Sequence, residues 1–351
     1  SQPCAGGGSR QQSRSMTTPR PPKRTRWTEV ALTTLLWLLV VGSFLPLWQS
    51  DAWFVRLWDF PRLQIAVALA VVMAQLLWLC RWRWRTSWIS LGAGLAAIVW
   101  QLSHVGPYTP LTPKQVASVT NCPPERSLKL LNVNVLQTNH EYMDVLALIK
   151  RTDADLVLLL ETGPEWRAVL APLVKRYPVS VGEPVSNTYG MMLLSKLPTT
   201  VRVMHRMQPA VPSIDAEVRL RSGDVVAFHA VHPKPPVPGN GSGQRDAELV
   251  IVGRQVRAAG QAAIIMGDLN DVAWSRTSRL FRQLSGMNDP RAGRGLFPTF
   301  NANYSVLRWP LDHLFVTPHF GLVAMDRLDK VGSDHFPMLY ILCLTRPAGP
   351  R

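Results

Sequence analysis

The sequence predicts a layered α/β sandwich placed behind three membrane-spanning helices. Three observations carry that expectation. Uncharged apolar runs crowd the first third of the chain. Short apolar strands alternate with helical stretches in the rest, the pattern of mixed sheets covered by helices. Several of those strands carry or end in a carboxylate, an amide or an imidazole.

The first 26 residues are Gly, Ser, Pro, Gln and Arg with almost no apolar side chains. They cannot bury a core and read as a disordered basic tail (1–26). Met16, ahead of "TTPRPPKRTRW", reads as the natural start. A membrane region (27–106) follows. Val30–Trp48, Leu63–Cys80 and Ser87–His104 are uncharged and close to the roughly 20 apolar residues that a span needs. A signal peptide would explain the first run but not two more with short links. Trp37, Trp48, Trp53, Trp58, Trp78, Trp82, Trp84, Trp88 and Trp100 cluster here, several at span ends, where indoles favour the interface.

Loop charge sets the orientation. "PRPPKRTR" precedes the first span and "RWRWR" joins the second to the third, whereas "QSDAWFVRLWDFPR" balances two Arg with two Asp. Lys and Arg stay on the cytoplasmic side. The expectation is a multi-pass protein of the cell (inner) membrane, N-terminus in the cytoplasm and everything after His104 outside. Should the third span fail to insert, the domain stays in the cytoplasm. A Pro-rich linker (107–127) leads to the soluble domain (128–346).

Net charge is +15 but uneven. Up to Thr120 there are 12 Lys/Arg and 3 Asp/Glu, a balance of +9; from Asn121 there are 26 and 20, a balance of +6. The excess belongs mostly to the membrane region, which argues against a nucleic-acid footprint on the domain. Of four cysteines, Cys122 and Cys343 flank the domain near its first and last strands. In an oxidising compartment two such thiols can pair; the sequence leaves both a disulfide and two separate thiols open.

Within the domain, "LKLLNVNVL" (Leu128–Leu136) reads as a strand. "HEYMDVLALIKRT" is a helix with Met143, Leu146, Leu148 and Ile149 at helical spacing. "DLVLLLE" is a buried strand, "GPEWRAVLAPLVKRY" a helix despite Pro172, and "GMMLLSKLP" a strand. "DAEVRLRSGDVVAFHAVH" is a hairpin turning at "RSGD". "RDAELVIVGRQVRAAG" is an amphipathic helix stopped at Gly260. The buried strand "QAAIIMGDLN" and a helix "SRLFRQLSG" follow, and "LDHLFVTP", "GLVAMDRLD" and "DHFPMLYILCL" close the chain as strands. There is no internal repeat and no Gly-rich phosphate loop.

Polar residues mark the strand ends. Asn134 interrupts "LLNVNVL", Glu161 ends "LVLLLE" and His232 ends "VVAFHAVH". Asp268 and Asn270 end "AAIIMGDLN", Asp312 and His313 begin "LDHLF", and Asp334 and His335 open the last strand. One Asp after a strand is usually a turn former or a helix cap, and a lone His is usually structural. Six such places, nearly free of Lys, are harder to treat as independent turns. Strands that deliver these groups to one edge would build a hard-oxygen site with imidazoles beside it. That inventory suits Mg²⁺ or Mn²⁺. It suits zinc poorly, for there is no HExxH spacing, and no GxSxG elbow supports serine hydrolysis. A divalent metal with acid–base histidines fits attack of water on a phosphate ester.

"NVNVL", "LLLETGPEW", "GMMLLSKLP", "HAVHPKPP", "IMGDLND", "LDHLFV" and "GSDHFP" occur in the order seen in the endonuclease/exonuclease/phosphatase (DNase I-like) superfamily. The chain resembles a membrane-anchored bacterial member of that group over Leu128–Leu344. The resemblance implies a four-layer αββα sandwich and a Mg²⁺-dependent phosphoric ester hydrolase. It implies that Glu161 holds the metal, with Asn134 and Asp334 close by. Asp268 would orient or deprotonate the water and Asn270 would hydrogen-bond the phosphate. His335 would face the phosphate, kept cationic by Asp312, and His232 would assist the leaving group or bind phosphate. Arg245 stands where members often carry a polar or basic residue at a helix start. His229, His313 and His319 match no catalytic position. Asn132 competes with Asn134 in "NVN", and Asn134 fits the pattern better.

Fold does not fix substrate. The leading expectation is an anchored phosphodiesterase or phosphomonoesterase whose substrate is a lipid head group, a nucleic acid or a small molecule. The others are an anchored nuclease, against which the mildly basic domain counts, and an inactive binding protein on the same fold. The bilayer, met through three spans, is one expected partner; no protein partner is implied.

Overall fold

Along β1 (Ser127–Asn134), Leu128 and Leu130 face one core while Leu131 and Val133 face another. That period of two puts a strand between two apolar layers, and it sets the architecture of the domain. The computed structural model describes residues 23–80, 85–239 and 241–347. The expectations for residues 1–22, Met16 among them, and for most of "RWRWR" with Trp82 and Trp84 lie outside the described residues.

Three long helices come first. α1 is Lys23–Phe44, the short α2 is Trp53–Arg56, α3 is Arg62–Cys80 and α4 is Arg85–Val105. α1, α3 and α4 pack around Leu36, Val40, Ile65, Leu69, Val72 and Ala97. Their outer faces stay apolar and exposed, with Leu38, Val41, Val67, Leu95 and Val99 each at least half exposed. A water-soluble bundle would place polar residues there. Two helices, Trp27–Leu47 and Trp88–Tyr108, are long and apolar enough to cross a membrane. The middle stretch meets that test only as a pair, Trp53–Asp59 with Arg62–Trp78, bent by 72°.

The connection between α1 and α3 packs on the α/β domain. Arg56 pairs with Asp246 at 2.9 Å and also bonds Thr277. Trp274 Nε1 donates to the Asp59 carbonyl at 2.7 Å, and the Ser242 amide to that of Asp51 at 3.0 Å. Tyr108, just past α4, donates to Ala273 O at 2.6 Å. Val105, Tyr108, Val272, Ala273, Trp274 and Leu311 form one apolar cluster across this junction.

The remaining elements run α5 (Tyr142–Thr152), β2 (Leu156–Leu160), α6 (Trp166–Leu170), β3 (Val179–Glu183), β4 (Met191–Ser195), β5 (Thr199–Met204), β6 (Ser213–Arg219), β7 (Val225–Ala230), α7 (Gly243–Ala259), β8 (Ala263–Asp268), α8 (Arg276–Ser285), β9 (Asp312–Val316), β10 (Phe320–Arg327) and β11 (Met338–Leu344). One sheet has the order β10-β11-β1-β2-β4-β3 and the other β5-β6-β7-β8-β9. Leu158, Leu193, Phe228, Ile264 and Leu342 fill the space between the sheets; each such burial is worth about 1.5–3 kcal/mol. α5 and α6 cover the outside of the first sheet through Val145, Ile149 and Trp166. α7 and α8 cover the second through Leu249, Val252 and Phe281. The layers are helix, sheet, sheet, helix.

Local differences from the sequence reading have plain causes. The buried residues of α5 are Val145, Leu146, Leu148, Ile149 and Thr152, so Leu146, Leu148 and Ile149 lie where the spacing put them. Met143 lies two residues from Val145, about half a turn round the helix, and is exposed. α6 ends in a 3-10 turn at Ala171–Leu173, where Pro172 cannot donate. β3 and β5 were not read from sequence; both are edge strands with half-exposed faces and a weak apolar signal. The last strand starts at Met338, after Pro337, so Asp334 and His335 sit in the loop before it.

Cys122 and Cys343 form a disulfide. It ties the segment ahead of β1 to the far end of β11, where Ser127 pairs with Cys343. Cys343→Ser should cost about 2–5 kcal/mol of unfolding free energy. Denaturant titration followed by Trp fluorescence reads the loss; reductant should reproduce it in the parent and change nothing further in the variant.

Candidate active site

Two parallel strand pairs explain why polar groups meet at one edge. β1 and β2 run parallel with Asn134 opposite Leu160, so Asn134 and Glu161 leave the sheet side by side. β7 and β8 run parallel with Ala230 opposite Met266, which carries His232 and Asp268 off the same edge of the second sheet. β9 runs antiparallel to β8 and sets Asp312 directly opposite Asp268.

The side chains converge. Asn134 Nδ2 donates to Glu161 Oε1 at 2.8 Å and to Asp268 Oδ2 at 3.2 Å, linking the two sheets. Its Oδ1 accepts from the Leu136 amide at 3.0 Å. The Gln137 amide donates to Glu161 Oε2 at 3.3 Å. Glu161, His232 and Asp268 each bring one ligand atom within 4.8 Å of the others. Asp334 has a buried Oδ1 with no hydrogen-bond partner. Burial, and to a lesser extent the charge of Asp334, raises the carboxyl of Glu161 against the hydrogen bond of Asn134 and the charge of His335. Two clustered carboxylates, an imidazole and an unpartnered carboxylate oxygen form a hard donor set that fits Mg²⁺ or Mn²⁺.

On the other side of Asp268 stands a histidine pair. His335 Nδ1 bonds Asp312 Oδ2 at 2.8 Å, and its Nε2 lies 3.5 Å from Asp268 Oδ2. His232 Nε2 lies 3.8 Å from the same oxygen. Burial alone would lower the pKa of His335, but the carboxylates of Asp312 and Asp268 lift it to about 10. Burial, with the charge of His335, lowers His232 to about 4. One imidazole is therefore cationic at neutral pH and the other neutral. Burial raises the carboxyl of Asp268 against the pull of His335. Asp312 would rise with burial too, yet the charge and hydrogen bond of His335 hold it below the ordinary range.

Backbone shape belongs to the site. Glu161 (φ 61°) and Asn270 (φ 50°) are left-handed, which for Glu costs roughly 1–3 kcal/mol and is typical of functional positions. Gly267 has φ 152°, and a Cβ there would lie 2.0 Å from Val231 O, so the "GDLN" glycine is fixed by the close approach of the backbone just past β7. The Asn270 amide donates to Asp268 Oδ1 at 2.8 Å, and its side chain donates to Pro233 O at 3.0 Å, leaving one side-chain N–H over. Arg245, buried in the first turn of α7, donates to Asn270 O at 2.9 Å and pairs with Asp271 at 2.9 Å.

All eight residues singled out from the sequence lie at this edge or on the loops that leave it. Two neighbours join them, Asn132, which the sequence reading weighed and set aside, and Phe300, which it missed. Asn132 donates to Asp312 Oδ1 at 3.0 Å; two residues from Asn134 on a strand, it shares its face, a signal present in "NVN". Phe300 packs 5.0 Å from the His335 ring and forms a bridge with its backbone, which no sequence pattern announced. His229 bonds Asp215, His313 is buried between Arg291 and the Asp271 carbonyl, and His319 bonds Thr317, all apart from the cluster.

Residues 130–335 match the family model described as Endonuclease/Exonuclease/phosphatase family. Among similar solved structures, an endonuclease/exonuclease/phosphatase from Beutenbergia cavernae DSM 12333 is 18% identical with TM-score 0.50, covering 62% of this chain and 72% of that one. One from Bacteroides vulgatus is 15% identical with TM-score 0.50, over 62% and 99%. The human Nocturnin catalytic domain with bound sulfate anion is 16% identical with TM-score 0.51, over 64% and 96%. At these identities the likeness is one of fold. Comparison with curated proteins gave no match.

The His335–Asp312 pair makes a pH prediction. The folded pKa of about 10 lies above the ordinary 6.5, so the pair's contribution to stability is complete below pH 6.5 and is lost as pH rises through about 10. In EDTA, imidazole NMR should show His335 protonated through neutral pH, and Asp312→Asn should lower its pKa. An unmoved titration would remove Asp312 from that role.

Proposed function

The chain belongs to the endonuclease/exonuclease/phosphatase family, and from that premise we propose that it is a membrane-anchored, divalent-metal-dependent phosphoesterase. The observation that supports this best is the convergence of Glu161, Asp268 and His232 beside a histidine that Asp312 keeps cationic.

Glu161 would hold the metal, with Asp334 supplying its unpartnered oxygen and Asn134 adjoining. When bound, Mg²⁺ or Mn²⁺ offsets charge on the phosphoryl oxygens. Asp268 accepts a hydrogen bond from the attacking water and then its proton, and the amide of Asn270 fixes the carboxylate for that task. His335 presents a buried positive charge where negative charge grows on phosphorus-bound oxygen. His232, kept neutral, offers an N–H rather than a charge, which favours phosphate binding over proton delivery. Asn270 has one side-chain N–H for the same phosphate.

The anchoring reading has support from the packing. The 48–61 connection and the segment after α4 both dock on the soluble domain, so both lie on its side of the bilayer. α3, with 19 residues, leaves that side and α4, with 21, returns to it. Each is about 28–32 Å long, a bilayer's thickness. Three spans, with the N-terminus and the "RWRWR" stretch on the opposite, cytoplasmic face, are consistent with these contacts and with the distribution of Lys and Arg.

A chromogenic bis-phosphoester should be hydrolysed in Mg²⁺ or Mn²⁺ and not in EDTA. Asp268→Ala and His335→Ala should each lower kcat/KM at least about 100-fold while circular dichroism stays that of the parent. Normal turnover in either variant would sink the assignment; a folded parent that turns over neither this ester nor plasmid DNA would leave the binding-protein reading. An alkaline phosphatase reporter fused after Gln115 should be active, since that enzyme matures only outside the cytoplasm; an inactive reporter would overturn the three-span arrangement.

A further inference from the structure

Resting on the anchored phosphoesterase reading, we propose that the 301–308 loop is a second contact with the bilayer and that the site takes its phosphoester from a membrane lipid. The loop carries Tyr304, Val306 and Leu307, exposed by 59%, 71% and 48%. Single exposed apolar residues are ordinary; three within four residues, beside a membrane helix, are not scatter.

Depth comes from one hydrogen bond. Gln64 Nε2 donates to Val306 O at 2.9 Å. Gln64 is two residues into α3, about 3 Å along the helix from its start. Val306 therefore lies level with the point where α3 enters the apolar layer. Phe60, just before α3, packs edge-on to Trp309 at 5.9 Å and holds the other side of the loop to the same level.

The loop is rooted in the candidate site. Phe300 bridges both Trp309 and His335, and Ala302 N donates to Asp334 O at 2.7 Å. From Val306 to Trp309 is three residues, at most about 11 Å of chain. A phosphate at His335 is thus close to the headgroup layer, and a lipid need rise little to reach it. The charge around the loop suits that layer. Arg308 and Arg327 stack on Phe336 at 5.0 and 4.3 Å, and Lys330 bonds Asn303 at 2.9 Å. An apolar tip ringed by cations is the pattern of an interfacial segment. In the reaction, water oxygen bonds to phosphorus as one P–O ester bond breaks. One water proton passes to the departing oxygen to give an alcohol, and the other stays with the phosphate.

The test uses the full chain in vesicles of phosphatidylethanolamine and phosphatidylglycerol. An NBD probe at Val306→Cys, with Cys4 and Cys80 changed to Ser, should be quenched by lipids carrying a shallow nitroxide. An unquenched probe would overturn the membrane contact whatever the activity. Separately, release of phosphorylated headgroup or lipid phosphate is compared with hydrolysis of a soluble bis-phosphoester. The triple variant Tyr304→Ser, Val306→Ser, Leu307→Ser should lose at least tenfold on vesicle lipid and keep its rate on the soluble ester. Equal rates of the variant and the parent on lipid would refute the loop's part. A parent that cleaves the soluble ester, or DNA, but no vesicle lipid would refute the lipid substrate alone. A parent that cleaves nothing refutes the phosphoesterase reading, and the lipid substrate falls with it.

Discussion

A positive charge buried among carboxylates organises this edge of the sandwich. The ladder between β8 and β9 places Asp268 and Asp312 opposite one another, an arrangement that costs energy when both are ionised. His335, brought in by the loop before β11, lies against both and cancels part of that cost. Asn132 reaches across from the other sheet to the free oxygen of Asp312, and Asn134 does the same for Asp268. The two sheets are thus joined at this edge by polar bonds and elsewhere by side-chain packing. Removing one partner of such a network leaves a buried charge unpaired, which is why a half-kept version would be worse than none.

The junction with the helices has the same character. Arg56, Asp59 and Arg62 are buried, and Arg62 extends the set through Gln101 to Ser43. Buried ion pairs add little net stability, but they accept one geometry and penalise others. Arg56 shares Asp246 with Arg245, and Arg245 in turn holds Asn270 and Asp271. The helical region therefore braces the back of the "GDLND" turn and fixes which way the site faces.

Much of this was legible in the chain. "AAIIM" and "LVLLL" are apolar throughout because each strand is covered on both faces, and that continuity identified them. The polar residues that end such runs stood out for the same reason. What could not be read were relations without a period. "VSVGE" is short and buried on neither face, and "TTVRVM" alternates as a strand does but with one face only half buried, so both were passed over as edges. Nothing in "FNANYSVLRW" shows that Phe300 meets His335 or that Val306 meets Gln64. The middle apolar run looked like a plain span; the 72° bend falls at Phe60–Pro61, where a proline cannot donate to continue a helix. The pairing of Cys122 with Cys343 was open until the register of β1 on β11 brought their backbones within 5.7 Å.

That register also dictates an order of events during biosynthesis. β1 has β2 on one side, but its other neighbour is β11, and the two disulfide partners are 221 residues apart. At roughly 5–20 residues per second, the ribosome needs about 10–45 s to cover that stretch. Until then the first sheet stands with β1 unpaired along one side, and Asp334 and His335 have yet to be made. A nascent chain at that stage carries Asn134, Glu161, His232, Asp268 and Asp312 without the imidazole that lies against both aspartates. The first sheet is complete only when its last strand arrives, so the full constellation comes into being only once the whole domain has been made.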